Sequence, residues 1–318
     1  MRIFLTIVVA ALCAPALGQA GLPRTAIFYY PWYGSPARDG GYAHWSQSGH
    51  APPFDIASNF YPARGAYSSS NPSVLQAQMR EIARAGVGEV VSSWWGWGSA
   101  EDLRLPAVIA AAWAVGLQVA VHIEPYEGRT AASIGADIAH LRELGVTDFY
   151  VYRPGDIPAA DWAALNGSLT GVRVFAQTNL AGFAAAGKFT GLYTYDVLLY
   201  GGGSFGRICA EAHKLNIVCA PSVGPGYQAT AATGDIRVKP RLQGATYDAM
   251  WRAALGASAD LVTITSYNEW GEGTQIEPAS SRENGYETYD GTYGLAGKAA
   301  QRAYLMRTSY WTSQLAIR

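Results

Sequence analysis

The sequence predicts a single (β/α)8 TIM barrel over residues 21–318, with long loops at its C-terminal face, behind a secretory signal at residues 1–20. Three observations predict it. Short apolar runs alternate with amphipathic stretches along the chain, and eight such runs can be counted. Several of the amphipathic stretches close on a glycine just before the next run, the usual helix-to-strand connection. Removal of the signal leaves roughly 298 residues, enough for such a barrel with insertions.

The signal reading rests on MRIFLTIVVAALCAPALGQA. Arg2 gives the positive start, residues 3–12 the apolar centre, and Gly18 and Ala20 small residues for cleavage. The run is short for a bilayer span, and bulky Leu12 before Cys13 argues against a lipid anchor there. The mature chain is therefore expected to be secreted or periplasmic, with no integral membrane span. The candidate strands follow: AIFYY (26–30), EVVSSW (89–94), QVAVHI (118–123), DFYVY (148–152), VRVFAQ (172–177), GLYTY (191–195), NIVCAP (216–221) and LVTITSY (261–267). Most are continuous Val/Ile/Tyr-rich runs, as strands covered on both faces are. Helices are expected over 74–86, 105–116 and 134–145, ending in Gly86, Gly116 and Gly145. An open doubly wound sheet is the rival architecture. It is disfavoured because no GxGxxG follows the first strand and the Gly201–Gly203 run lacks that spacing.

Composition narrows the function. The chain is 49% apolar and 15% charged with net charge −1, which suits a large core and gives no support to a nucleic-acid partner. Ten Trp and 20 Tyr fit a sugar-binding cleft, although aromatic rings also fill cores. Cys209 and Cys219, ten residues apart, are open to two readings: a disulfide, or two buried thiols.

Two long irregular stretches, 31–71 and 268–291, would both lie at the C-terminal face, where barrel enzymes build their sites. Polar and aromatic residues gather after the strands: Tyr30, Trp32, Tyr33, Asp39, His44 and Trp45; Trp94, Trp95 and Trp97; His122, Glu124 and Tyr126; Tyr193, Tyr195 and Asp196; Ser222 and Tyr227; Tyr267, Asn268, Glu269 and Glu272. Glu269 and Glu272, three apart in ITSYNEWGEGTQIEP, have the spacing of a carboxyl pair. Glycoside hydrolysis needs such a pair, one group to protonate the leaving oxygen and one to act as base or nucleophile. Glu277 reads as structural. No HExxH or Cys/His cluster appears, so neither metal nor cofactor is expected. No GxSxG elbow supports a serine nucleophile. Arg237 and Arg241 read as a solvated loop, with contact to sugar hydroxyls or an anionic group as the alternative. His140 and His213 read as helix residues that face solvent or pack locally.

Beyond spacing, the motifs resemble those of glycoside hydrolase family 99, the endo-α-mannosidase family. The resemblance runs from about residue 25 to residue 278, through FYYPWYGSP with DGGYAHW (28–45), SWWGWG (93–98), HIEPYEGR (122–129), GLYTYD (191–196), PSVGPGY (221–227) and SYNEWGEGTQIEP (266–278). It implies a retaining, endo-acting, metal-free hydrolase of α-mannosides in glycans or mannan-like polysaccharide, working through a 1,2-anhydro sugar. It implies that Glu269 is the base and Glu272 the acid/base. By the same resemblance Tyr30, Trp94 or Trp95, Glu124 and Tyr195 are expected near the sugar, and by their place after the strands Trp94, Trp95, His122, Tyr126, Tyr227 and Asn268 join them around an oligosaccharide or polysaccharide substrate; a monomer is expected. Two departures stand out: Gly271 where the family often has His, and the altered loop QATAATGDIRVKPRLQG. They motivate the alternatives, a carbohydrate-binding relative that does not hydrolyse or a hydrolase of another α-linked polysaccharide.

Overall fold

The computed structural model describes residues 21–281 and 285–317, so the signal reading at 1–20 lies outside the described residues. In chain order the elements are β1 (Thr25–Tyr29), α1 (Pro36–Asp39), α2 (Pro72–Arg84), β2 (Glu89–Trp94), α3 (Ala100–Trp113), β3 (Gln118–Ile123), α4 (Ala131–Glu143), β4 (Asp148–Val151), α5 (Ala159–Ser168), β5 (Arg173–Gln177), α6 (Ala181–Ala186) and β6 (Gly191–Tyr193). There follow α7 (Phe205–Lys214), β7 (Val218–Ala220), β8 (Ser222–Val223), β9 (Tyr227–Gln228), α8 (Thr230–Thr233), β10 (Val238–Lys239), α9 (Ala245–Gly256), β11 (Val262–Ile264), α10 (Gly297–Ala300) and α11 (Ala303–Ala316). The main sheet runs β7-β6-β5-β4-β3-β2-β1-β11-β8, every pairing in it parallel.

This is the expected (β/α)8 barrel, with its seventh stave in two pieces. Pro221 splits that stave, because proline has no N–H to give a ladder. The half before it pairs with β6 and the half after it with β11. Side chains stitch the break: Ser222 N donates to Thr194 Oγ1 at 2.9 Å, and Ser222 Oγ lies 2.7 Å from Thr263 Oγ1. The expected strands at 191–195 and 261–267 are shorter in the structure, since their last residues leave the ladder to build the mouth.

The helices begin earlier than apolar periodicity suggests, because their caps lie upstream of the first core-facing residue. Asn71 caps α2 by accepting from Ser73 N, Ser99 caps α3 by accepting from Asp102 N, and Thr130 with Ser133 forms a capping box on α4. Gly86 takes φ 75 after α2, where a side chain would also strike Thr312. The strands are buried along nearly their whole length, packed between the barrel interior and the helices. Cys209 of α7 and Cys219 of β7 form a disulfide, S–S 2.02 Å, which settles the open question for those two residues.

Candidate active site

The segment after β11 carries the two glutamates, and hydrogen bonds fix each part of it. Asn268 accepts from Tyr30 N at 2.8 Å and donates to Tyr30 O at 3.0 Å, joining this segment to the end of β1. Tyr33 OH donates to Asn268 O and accepts from Trp270 N. Glu269 N donates to Ser266 Oγ at 2.9 Å. Residues Trp270–Glu272 make one 3₁₀ turn, ended by Gly273 in the left-handed region (φ 63). A Cβ at Gly273 would lie 2.7 Å from Gln228 O, so only glycine fits there. Beneath the turn, Glu277 is fully buried and accepts from Arg64, Tyr67, Gln78 and Trp270 Nε1. That makes it the structural residue the sequence suggested.

Glu269 is 7% exposed and its Oε2 accepts from Tyr195 OH at 2.6 Å. Tyr195 OH is in turn hydrogen-bonded to Tyr30 OH. Tyr195 sits at φ 53, uncommon for a residue with a side chain, and is held there from both sides. Its N–H donates to Ser222 Oγ at 2.6 Å and its carbonyl accepts from Thr265 Oγ1 at 2.9 Å.

Both carboxyls are pushed up from the usual range. For Glu269 the causes are burial and then the charge of Glu272; for Glu272, pushed up to about 7, they are burial and then Asp196, with Glu124 and Asp235 adding to it. Such neighbours titrate as a unit. Carboxylates raise both groups, Glu272 and Glu124 acting on Glu269, and Asp196, Glu124 and Asp235 on Glu272; the Tyr195 and Tyr30 hydroxyls partly offset this at Glu269, and a hydrogen bond with Glu269 does so at Glu272. Two neighbouring carboxyls raised in this way can give and take a proton near neutral pH.

The rest of the mouth is aromatic and polar. Glu124 accepts from Ser93 Oγ at 2.8 Å and is paired with His122 Nδ1 at 2.9 Å, while His122 Nε2 meets Tyr193 OH at 2.8 Å. The His122 ring stacks on Tyr195. Tyr227 OH donates to Asp235, and burial together with the charge of Glu272 raises its phenol. Trp95 is 39% exposed and Trp97 67% exposed; the inner face of Trp97 stacks on His140 with ring centres 4.1 Å apart. His140 is thus a local packing residue, bonded to Asp102 at 3.1 Å.

Two expected contact residues, Trp94 and Asn268, are placed otherwise. Trp94 is fully buried and donates to Asp102 of α3, so its ring presents no face to a ligand. Asn268 spends both ends of its amide on protein and positions Tyr30 instead. The Tyr126 hydroxyl is bound to Ser133 and Asp137 of α4. Arg241 departs from the solvated-loop reading, being held against three aromatic rings. Tyr152 was missed. It follows β4, its ring lies 5.2 Å from that of Tyr195, and burial with the charges of Glu272, Glu269 and Glu124 raises its phenol. A polar residue ending a strand was the available signal, hidden because DFYVY reads as one apolar run. Among the described residues no group of three or more His, Cys, Asp or Glu is placed to hold a metal ion, and no helix is long and apolar enough to cross a membrane.

Comparison with known proteins agrees with this fold. The profile of Glycosyl hydrolase family 99 matches residues 23–317. A glycoprotein endo-alpha-1,2-mannosidase-like protein of Danio rerio is 36% identical over 80% of this chain and 70% of its own length. The glycoprotein endo-alpha-1,2-mannosidase of Rattus norvegicus is 29% identical over 82% of this chain and 69% of its own. The solved structure of the GH99 endo-alpha-mannosidase from Bacteroides thetaiotaomicron superposes with TM-score 0.83 at 29% identity, covering 92% of this chain and 98% of that one.

Proposed function

The chain belongs to glycosyl hydrolase family 99 and is an endo-acting glycoside hydrolase of α-mannosidic linkages; from that premise we propose that Glu269 and Glu272 carry the reaction through a 1,2-anhydro sugar. Glu269, as carboxylate, takes the proton of the substrate's 2-hydroxyl. That oxygen attacks the anomeric carbon as the C–O bond to the leaving sugar breaks, and Glu272 gives its proton to the departing oxygen. Glu272, now a carboxylate, takes a proton from water. The water opens the epoxide at the anomeric carbon, and Glu269 returns its proton to the 2-oxygen. Two inversions give retention.

The observation that carries this reading is the pairing itself: two buried carboxyls that titrate together at the barrel mouth, Glu269 accepting from a tyrosine hydroxyl and Glu272 pushed up to about 7, where it can give and take a proton near neutral pH. The axial 2-hydroxyl of mannose can lie anti to an α leaving group, so the substrate can supply its own nucleophile. Glu124 with His122, together with Tyr30, Tyr152, Tyr195 and Tyr227, would line the reacting sugar, and Trp95 and Trp97 would meet the chain further out. A matched α-manno-oligosaccharide and its 2-deoxy form at the reacting sugar test the route. Turnover of the deoxy sugar at a comparable rate excludes attack by the 2-oxygen.

Export with cleavage after Ala20, to a secreted or periplasmic location, rests on the sequence alone, and N-terminal sequencing of the mature protein tests it. A monomer is the assembly proposed, and light scattering on a sizing column tests that.

A further inference from the structure

Arg241 lies in the loop before α9, yet its one fully engaged nitrogen serves the catalytic turn. Nη2 donates to Gly273 O at 2.9 Å and to Gln275 O at 2.8 Å, the carbonyls one and three residues past Glu272. The guanidinium carbon lies 4.6 Å from the Phe60 ring centre, 4.9 Å from Tyr289 and 4.7 Å from Tyr304. Those rings come from the loop after β1, the loop after β11, and α11. Among the described residues buried Nε and Nη1 have no hydrogen-bond partner, so ring faces take the place of a carboxylate around this cation. The approach is tight: a Cβ on Gly226 would lie 2.8 Å from Arg241 Cγ.

The two glutamates are held by different devices. Ser266 Oγ and Tyr195 OH fix Glu269. The turn carrying Glu272 is fixed by Ser58 Oγ on Trp270 O, by Gly273 N on Trp270 O, and by Arg241 on the two carbonyls just beyond. We infer that Arg241 is a positioning residue for the acid, fixing the backbone that aims Glu272 at the departing oxygen, and that its loss impairs proton donation far more than attack at the anomeric carbon. This rests on Glu272 being the acid.

Arg241→Met tests it, because an unbranched thioether can fill the aromatic cage while leaving both carbonyls without their donor. The measured quantity is kcat/KM, which covers only the steps up to leaving-group departure, on two probes: an α-linked manno-oligosaccharide, whose leaving oxygen needs a proton, and an α-mannobiosyl fluoride, whose fluoride leaves without one. Arg241→Met is expected to lose at least about 30-fold on the oligosaccharide, within the range of general-acid effects, and less than about 3-fold on the fluoride. Equal losses on both, or no loss on either, overturn the inference. Glu272→Gln, run alongside, separates the two claims: if that variant also fails to discriminate between the probes, the acid assignment itself is wrong. Should the Met variant not fold, Arg241→Leu, which also removes the donor, supplies the same two-probe comparison, and Arg241→Lys, which keeps a charged donor, should recover part of the oligosaccharide rate.

Discussion

The pH dependence of the acid can be worked out in detail. A carboxyl that must be protonated to act loses activity as pH rises through its raised pKa. With Glu272 at about 7, kcat/KM on an unactivated oligosaccharide should fall tenfold per pH unit above that point, to about one-hundredth of its plateau at pH 9. Asp196 is the largest charge holding this value up, after burial itself. Asp196→Asn removes that charge. It keeps a side-chain oxygen to accept from Leu198 N and Leu199 N, as Asp196 Oδ1 does at 2.8 and 2.9 Å. The alkaline limb should then move to lower pH by about one unit or less, equivalent to at most about 1.4 kcal/mol. Rates at pH 8 should drop while those at pH 5 barely change. Full pH profiles of wild type, Asp196→Asn and Glu272→Gln measure this. In the Gln variant the limb should vanish along with roughly 10²–10⁴-fold of the rate. A limb that stays put in Asp196→Asn, or survives in Glu272→Gln, refutes the assignment of that proton to Glu272.

Other expectations follow from the same contacts. Tyr195→Phe removes the hydroxyl that donates to Glu269. A hydrogen bond to a charged group contributes about 1.5–3 kcal/mol, so kcat should fall by about 10- to 150-fold with an unchanged melting profile; an unaltered kcat would show that Glu269 needs no such donor. Trp97→Ala should raise KM for long glycans several-fold and leave the shortest cleaved substrate alone, with the exposed Trp113→Ala as control; equal effects on all lengths would exclude a distal contact. Glu277→Ala takes from Arg64 one of its two carboxylate partners, Glu81 being the other, and empties a site with four donors. A denaturant titration should register a loss of roughly 3–5 kcal/mol, and a loss under 1 kcal/mol would contradict the structural role. Reduction of the Cys209–Cys219 bridge, which closes a loop of ten residues, should cost about 2–3 kcal/mol, read as a lower melting temperature in reductant.

Much of the fold was legible because a parallel barrel writes itself locally. Strands covered on both faces must be apolar runs, and Gly86, Gly116 and Gly145 mark helix ends because each takes a positive φ. What stayed hidden was decided at a distance. Pro221 looked like the end of a strand, but the chain resumes pairing at Ser222 with a different neighbour, because Thr194 and Thr263 supply the side-chain bonds that a proline break removes.

The site divides the same way. Glu269 and Glu272 were visible because their spacing and their place after the last strand are sequence properties. Which tryptophan of SWWGWG could meet a ligand was not. Trp94 and Trp95 are adjacent, so an extended strand end points them to opposite sides. Asp102, on the next helix, bonds the first and leaves the second at the surface. Arg241 was the deepest miss, since a charged residue in a polar loop ordinarily lies in water. Its burial depends on Phe60, Tyr289 and Tyr304, three aromatic residues scattered over some 240 positions of sequence. No local pattern announces such a cage. It forms only when the loops after β1 and β11 close over α11, and that closure also shapes the turn bearing the acid. Sequence could therefore name the groups that react, while the residues that aim them emerge only from the folded chain.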